Sequence, residues 1–207
     1  MKGLKICGVS DSKTLNYILN HDHKPDMIGF ITNYQKSKRF VEYERLKDLL
    51  NIDKKQVNFV SVLVNPNNEI LEKIKGLNFD YYQLYDVDPE RTKEIKLKYK
   101  IKIITAITVS CKDDVLKYKD YSKISDIILF DGKGYHKSES FDHNLLDEVP
   151  NELNKMIAGN IQIDDIPNFK NKDFIIDISG ACENENGKKD IDKIDNLLNT
   201  VQNIKYK

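Results

Sequence analysis

The feature that most constrains the fold is a regular alternation of short apolar runs with longer polar segments. The runs hold four to eight residues and are rich in β-branched side chains. Runs such as Ile-Lys-Ile-Ile and Asp-Ile-Ile-Leu-Phe are typical of strands buried on both faces, as in parallel sheets covered by helices. There are eight candidate strands: Leu4–Gly8, Met27–Thr32, Val57–Val64, Tyr81–Leu84, Ile101–Ile107, Asp126–Phe130, Lys155–Ala158 and Phe174–Ile178.

The segments between these runs carry the start signals and the periodicity of helices. Ser10 or Asp11 can cap a helix that runs to Asn20, and Asp88-Pro89-Glu90 opens a helix that ends near Lys100. In the last helix, predicted from Lys189 to Val201, apolar residues recur on one stripe. The other predicted helices are Val41–Asn51, Glu69–Lys75, one opened by Asp113, and two short ones at Asn144–Val149 and Asp164–Phe169.

Eight strand–helix repeats of about 25 residues each favour a (β/α)8 barrel over an open doubly wound sheet. The first run is followed by Cys7-Gly8-Val9-Ser10, which is not the GxGxxG fingerprint of a dinucleotide site, and the sequence contains no GxxxxGK[ST] phosphate loop. No Pro/Gly-rich linker divides the chain. We therefore predict the α/β class, with one small (β/α)8 TIM barrel as a single domain over residues 1–207.

Charge and composition exclude several classes of protein. The 33 basic and 33 acidic residues are interspersed and give a net formal charge of zero, so the chain lacks the basic field that holds nucleic acid. The N-terminus has no apolar signal region, and no apolar run approaches the roughly 20 residues that span a bilayer. The cysteines, Cys7, Cys111 and Cys182, are too widely spaced to indicate a disulfide framework or a zinc site. We expect a cytoplasmic protein without metal, cofactor, nucleic-acid partner or membrane partner.

Two titratable residues stand where a barrel places its working groups, at the carboxyl ends of strands. Cys7 ends the first run, and Asp131 follows the sixth. Cys7 can act as a base if its thiolate is stabilised, and Asp131 can act as an acid if burial raises its pKa. Each also has an ordinary interpretation, because a lone cysteine is often a small buried hydrophobe and an aspartate before glycine is often a turn residue. Spacing alone leaves both interpretations open.

Several short motifs, in the right order along nearly the whole chain, resemble the phosphoribosylanthranilate isomerase family. The start, Lys5-Ile6-Cys7-Gly8, followed by Ser37-Lys38-Arg39, is the most specific part. The weaker matches are Gly29-Phe30, Val62-Leu63-Val64-Asn65, Gln83-Leu84, Leu129-Phe130-Asp131, Ala158-Gly159-Asn160 and Asp177-Ile178-Ser179-Gly180. This family is a small (β/α)8 barrel of similar length, which agrees with the strand count.

The resemblance implies an isomerase of tryptophan biosynthesis. Its reaction is the Amadori rearrangement of N-(5'-phosphoribosyl)anthranilate to 1-(2-carboxyphenylamino)-1-deoxyribulose 5-phosphate, a phosphosugar. By motif match, Cys7 is the general base and Asp131 is the general acid. The acid protonates the ribose ring oxygen so that the ring opens to a Schiff base, and the base then removes the C2 proton. The chemistry needs no redox step and no metal.

The resemblance also implies which residues hold the substrate. Arg39, one of only three arginines, maps onto a loop arginine of the family, which implies that it binds the anthranilate carboxylate, since arginine binds carboxylates with two donors. Gln83 and Asp177 are the other expected substrate contacts. Phosphate is expected on backbone N–H groups after the seventh and eighth strands. These phosphate-binding residues are Gly159, Asn160, Ser179, Gly180 and Ala181.

The chain departs from the family pattern at several points. Tyr85 stands where the family has a histidine after Gln-Leu, Asn160 replaces the second glycine of Ser-Gly-Gly, and the stretch 132–142 lacks the usual Gly-Gly-(Ser/Thr)-Gly sequence. Two alternatives therefore stay open: a related phosphosugar isomerase with an altered substrate, and a degenerate, non-catalytic barrel that acts as a binding module. The presence of both Cys7 and Asp131 argues against the second. The assembly is expected to be a monomer or a homodimer.

Overall fold

Eight parallel strands close into a barrel in the order of the chain, in a computed structural model that describes residues 1–134 and 139–205. The strands within these ranges are β1 (Gly3–Cys7), β2 (Met27–Ile31), β3 (Asn58–Val64), β4 (Tyr81–Tyr85), β5 (Lys102–Val109), β6 (Ile127–Gly132), β7 (Lys155–Ile157) and β8 (Ile175–Ile178). Because β8 pairs with β1, the sheet has no open edge. The predicted α/β class and (β/α)8 barrel are confirmed.

Helices follow the strands, as the periodicity predicts. They are α1 (Ser12–Asn20), α2 (Tyr43–Leu50), α3 (Asn68–Ile74), α4 (Pro89–Tyr99), α5 (Lys112–Leu116), α6 (Tyr118–Tyr121) and α7 (Ile191–Lys205). None of the helices in the described part of the chain is long and apolar enough to cross a membrane.

The helical segments after the last three strands are the 3-10 helices His143–Leu146, Ile163–Phe169 and Gly180–Cys182. The first two overlap the short helices predicted at Asn144–Val149 and Asp164–Phe169, and the third has no predicted counterpart. In the second of them, Pro167 lacks the N–H that an α-helix interior requires. The last helix begins at Ile191 instead of Lys189, because the Asp190 carboxylate accepts a hydrogen bond from the N–H of Asp192 at 3.0 Å.

Side-chain alternation along each strand separates two apolar layers. On β1, Leu4 and Ile6 belong to the outer core that the strands share with the helices, whereas Cys7 belongs to the cluster inside the barrel. The inner cluster consists of Cys7, Met27, Val60, Val62, Tyr81, Ile104, Ile127, Leu129, Met156 and Ala158. By the same alternation, four buried polar side chains of the strands face the barrel interior: Lys5, Gln83, Asp131 and Asp177.

The starts of α1 and α2 provide a matched pair for a stability test. The Asp11 carboxylate accepts hydrogen bonds from the N–H and the hydroxyl of Thr14, each at 2.8 Å. Glu42 holds the same position before α2 without a side-chain cap hydrogen bond. We expect Asp11→Ala to lower the free energy of unfolding by about 1 kcal/mol, because a helix N–H loses its acceptor. Urea denaturation measures this loss, and an equal loss in the control Glu42→Ala contradicts the capping argument.

Candidate active site

A cavity of about 820 Å³ opens at the end of the barrel where the strands finish. Cys7 is the last residue of β1, Tyr85 is the last residue of β4, and Asp131 is the penultimate residue of β6. The cavity brings together these predicted site residues: Cys7, Arg39, Asp131, Gly159, Asn160, Asp177, Ser179, Gly180 and Ala181. Gln83 is not among the residues that line it. Residues 135–138, in the divergent stretch after β6, lie outside the described residues.

Gln83 lies below the cavity and is 1% exposed. Its amide Nε2 donates to the Tyr85 hydroxyl at 3.2 Å, and that hydroxyl donates to Asp131 Oδ2 at 2.8 Å. Gln83 therefore reaches the site through Tyr85. Side chains two residues apart on a strand point the same way, so the Gln-x-Tyr spacing on β4 is the sequence signal that indicates this pair.

Tyr85 lies among the acidic side chains of the site. Burial raises its pKa well above the ordinary value, and the ionised forms of Asp131, Asp177 and Cys7 raise it further. The phenol is therefore a neutral hydrogen-bond donor to Asp131 at physiological pH.

Cys7 has a thiol buried in the cavity wall, with the residue 8% exposed. The β1–β2 register places it opposite Gly29, where an added Cβ would lie 2.9 Å from the thiol sulfur. The missing side chain at Gly29 thus makes room for the thiol. Burial raises the pKa of Cys7, and the positive charge of Lys5 acts in the opposite direction. The protonated thiol predominates at neutral pH, and the thiolate is a stronger base than an exposed one.

Lys5 is a site residue to which the motifs assign no role. It is fully buried, and its ammonium donates to Asp177 Oδ2 at 2.7 Å from the paired position on β8. Burial on its own would lower the pKa of Lys5, but the charges and hydrogen bonds of Asp177 and Cys7 together outweigh burial, and the pKa is raised. Asp177 Oδ1 is also buried and has no hydrogen-bond partner among residues 1–134 and 139–205. Since Asp177 lines the cavity, its carboxylate is suited to accept a hydrogen bond from a ligand.

Arg39 enters the cavity from the loop after β2, and a two-pronged ion pair holds it there. Its Nε and Nη2 donate to the two carboxylate oxygens of Glu183, the second at 2.9 Å. Its stem crosses Gly8, where an added Cβ would lie 2.5 Å from Arg39 Cδ. Glu183 uses two of the five N–H donors of the guanidinium, so the others can bind a substrate carboxylate.

Lys189 binds the same Glu183 carboxylate as Arg39. Its ammonium donates to Glu183 Oε1 and to the carbonyl of Ser179, both at 2.9 Å, and its side chain is 1% exposed. Burial would raise the pKa of Glu183, but Arg39 and Lys189 outweigh it, and the pKa is lowered. Glu183 is therefore ionised and fixes the direction of Arg39. Sequence motifs do not indicate this network, because Arg39 lies 144 residues away from Glu183 along the chain.

The turn after β7 exposes its backbone to the cavity. Gly159 and Asn160 have positive φ angles of 104° and 53°. A Cβ at Gly159 would lie 2.9 Å from the amide nitrogen of Gly132 and 3.0 Å from the carbonyl oxygen of Glu139. Only glycine fits this position, since both obstacles are backbone atoms. Gln162 Nε2 donates to the Asn160 carbonyl at 2.8 Å and stabilises the turn.

The segment after β8 forms the adjoining wall. Ser179 precedes the 3-10 helix Gly180–Cys182, and its hydroxyl donates to the carbonyl of Cys7 at 3.0 Å. Apart from Gly180 and its two chain neighbours, no described residue has an atom within 4 Å of the place where a Cβ of Gly180 would stand. The first N–H groups of a helix have no acceptor within it, so those of Gly180 and Ala181 are suited to an anion in the open space.

One barrel cavity holds a base candidate, an acid candidate and backbone turns suited to phosphate. These features define a class: barrel enzymes that move protons on a phosphorylated sugar. The family model described as N-(5'-phosphoribosyl)anthranilate (PRA) isomerase matches residues 4–200. The chain belongs to this family, which confirms the resemblance seen in the motifs.

Individual relatives agree with the family match. The N-(5'-phosphoribosyl)anthranilate isomerase of Rhizobium johnstonii is 30% identical, over 96% of this chain and 93% of its own length. The enzyme of the same name from Parabacteroides distasonis is also 30% identical, over 96% of this chain and 92% of its own length.

Solved structures of the family share the fold. The phosphoribosyl anthranilate isomerase of Thermotoga maritima superposes with a TM-score of 0.85 at 25% identity, covering 98% of this chain and all of the other. A phosphoribosyl anthranilate isomerase in complex with reduced 1-(o-carboxyphenylamino)-1-deoxyribulose 5-phosphate superposes with a TM-score of 0.83 at 23% identity, with the same coverage of this chain.

Proposed function

We propose that this chain isomerises N-(5'-phosphoribosyl)anthranilate in tryptophan biosynthesis, with Cys7 as general base and Asp131 as general acid. The observation that carries the proposal is that both side chains, each less than a tenth exposed, line one cavity in a member of this family. The whole of residues 1–207 acts as one catalytic domain.

Asp131 supplies the proton that opens the ribose ring. Its carboxyl group protonates the ring oxygen, and the bond from the anomeric carbon to that oxygen breaks to give a Schiff base. The hydrogen bond from Tyr85 to Oδ2 fixes the direction of the carboxyl group, and Gln83 in turn orients the Tyr85 hydroxyl. Gln83 thus acts on the reaction from below the cavity.

The thiolate form of Cys7 then removes the C2 proton from the Schiff base. The electron pair of the C–H bond moves into the adjoining C–N system and gives an enolamine, which tautomerises to the ketone of the product. The sulfur becomes a neutral thiol in this step. Burial favours the neutral thiol over the thiolate, so it strengthens the driving force for proton removal.

The remaining predicted residues hold the two ends of the substrate. Arg39 binds the anthranilate carboxylate, and the Asp177 carboxylate accepts a hydrogen bond from a sugar hydroxyl. The phosphate binds to the backbone N–H groups of the two loop walls. Those N–H groups belong to Gly159, Asn160, Ser179, Gly180 and Ala181.

Removing the Arg39 guanidinium is expected to weaken substrate binding more than turnover. Arg39→Met removes a charge-assisted contact to the carboxylate, so KM should rise about 10–100-fold while kcat changes much less. Arg45→Met is the matched control, since Arg45 is exposed on α2. Steady-state kinetics measure both variants, and an unchanged KM in Arg39→Met contradicts the role of this residue.

Genetic complementation tests the proposed function. A bacterial strain that lacks this isomerase should grow without tryptophan when it expresses the wild-type chain, and it should not grow with Asp131→Asn. Wild-type protein that accumulates in folded form without restoring growth contradicts the proposal and favours a related phosphosugar substrate.

We expect the enzyme to act in the cytoplasm as a monomer or a homodimer. The Thermotoga maritima relative is described as dimeric.

A further inference from the structure

Lys5 occupies an unusual place for a lysine. It is among the largest fully buried side chains of the described residues, and its ammonium lies inside the barrel. Burying a charge costs free energy unless the charge is paired, and the Asp177 carboxylate at 2.7 Å supplies one partner. A buried ion pair is often no more stabilising than apolar residues of the same volume. The pair therefore needs an explanation other than stability.

The ammonium also lies beside the Cys7 thiol. Lys5 and Cys7 are two residues apart on β1, and both side chains face the barrel interior. A Cβ added at Gly29 would lie 2.9 Å from the Cys7 sulfur and 3.1 Å from the Lys5 nitrogen. The Cys7 sulfur and the Lys5 nitrogen both lie near this position, so the distance between them is at most the sum of these two distances. Over such a distance an ammonium favours an ionised thiol.

The titratable groups that face or adjoin the Cys7 thiol are Lys5, Asp177, Tyr85, Arg39, Lys189 and Asp131. Among the positive ones, Arg39 and Lys189 are both paired with Glu183. Burial is the strongest influence on the pKa of Cys7 and raises it, whereas Lys5 is the strongest influence that lowers it, ahead of Lys189. Lys5 is therefore the cation best placed to hold a thiolate.

We propose that Lys5 is a positioning residue of this reaction, whose buried ammonium stabilises the Cys7 thiolate and holds Asp177 in place. The inference rests on the proposed function, because it concerns the base of that reaction. When the thiolate takes the C2 proton it becomes neutral, and Lys5 keeps its own proton with Asp177 as its partner. Lys5 transfers no proton at any step.

The direct test is the titration of the Cys7 thiol in Lys5→Met. The ultraviolet absorbance of the thiolate is followed against pH, and the same protein with Cys7→Ser gives the baseline. Loss of the ammonium should raise the midpoint by about one to three pH units. Lys155→Met is the matched control, because Lys155 is a buried strand lysine that bonds to the carbonyl of Val149 and to Asn151, both at 3.3 Å. Its midpoint should equal that of the wild type.

Kinetics separate this role from a structural one. The pH at which kcat/KM rises should be higher in Lys5→Met than in the wild type, by the same number of pH units as the thiol midpoint. A folded Lys5→Met protein with an unmoved thiol midpoint overturns the inference, whatever its activity.

A measurement on the unsubstituted chain covers the case in which Lys5→Met does not fold. The nitrogen NMR resonance of the Lys5 ammonium should shift with pH at the midpoint of the thiol, and this shift should vanish in Cys7→Ser. A resonance that does not follow the thiol overturns the inference. Neither readout needs substrate, so failure of this inference can be distinguished from failure of the proposed function. If the wild type is active but its thiol midpoint does not depend on Lys5, only the inference is contradicted. If the wild type is inactive on phosphoribosylanthranilate, the proposed function and the positioning role are both contradicted.

Discussion

Cys7→Ala is expected to lower kcat by about 10²–10⁴-fold, the usual contribution of a positioned general base. The substitution removes the proton acceptor and leaves the residues assigned to the carboxylate and the phosphate in place, so KM should change little. Steady-state turnover of phosphoribosylanthranilate measures the loss. Cys111→Ala is the matched control, since Cys111 is an exposed cysteine at the start of α5, and it should keep wild-type turnover.

Cys7→Ser sharpens this prediction. A serine hydroxyl is nearly the same size as the thiol, but it is a much weaker acid, so almost none of it is ionised at neutral pH. We expect Cys7→Ser to lose kcat to a similar extent as Cys7→Ala. Wild-type kcat in either variant contradicts the assignment of Cys7 as the base.

Asp131→Asn is expected to lower kcat by about 10²–10⁴-fold, because the amide cannot protonate the ring oxygen. Asparagine keeps the shape of the side chain, and its carbonyl oxygen can still accept the hydrogen bond that Tyr85 donates at 2.8 Å to the aspartate. The loss should therefore appear in kcat with little change in the free energy of unfolding.

Two further measurements make the Asp131 prediction specific. Asp164→Asn is the control, since Asp164 is exposed in the 3-10 helix Ile163–Phe169, and its kinetics should match the wild type. Urea denaturation of Asp131→Asn separates a catalytic loss from unfolding. A variant that is folded and fully active shows that another group protonates the ring.

The barrel could be predicted from the sequence because its main signal is local. Each buried strand of a parallel barrel is a short apolar run, and eight such runs set the strand count. Strand ends are less local. β6 continues through Asp131 to Gly132, beyond the predicted end at Phe130, because Asp131 pairs with Thr108 on β5. A polar residue can thus extend a strand when its neighbour supplies the hydrogen bonds.

The candidate site was predictable in part for the same reason. Cys7 and Asp131 stand at strand ends, where every barrel of this class gathers its working groups. The residues that surround this pair and act on it are brought together by contacts between parts of the chain that are distant in sequence. Lys5 meets Asp177 across the β1–β8 pair, 172 residues away in sequence, and Glu183 meets Arg39 over 144 residues. A single sequence does not encode such partners in any short motif.

The most direct test of the central claim is a turnover assay with the purified wild-type chain. Phosphoribosylanthranilate, generated enzymatically in the cuvette, should lose its anthranilate-type fluorescence at a rate proportional to the amount of protein added. Both Cys7→Ala and Asp131→Asn should slow that loss by about 10²–10⁴-fold. Folded wild-type protein that leaves the fluorescence unchanged would contradict the proposed activity.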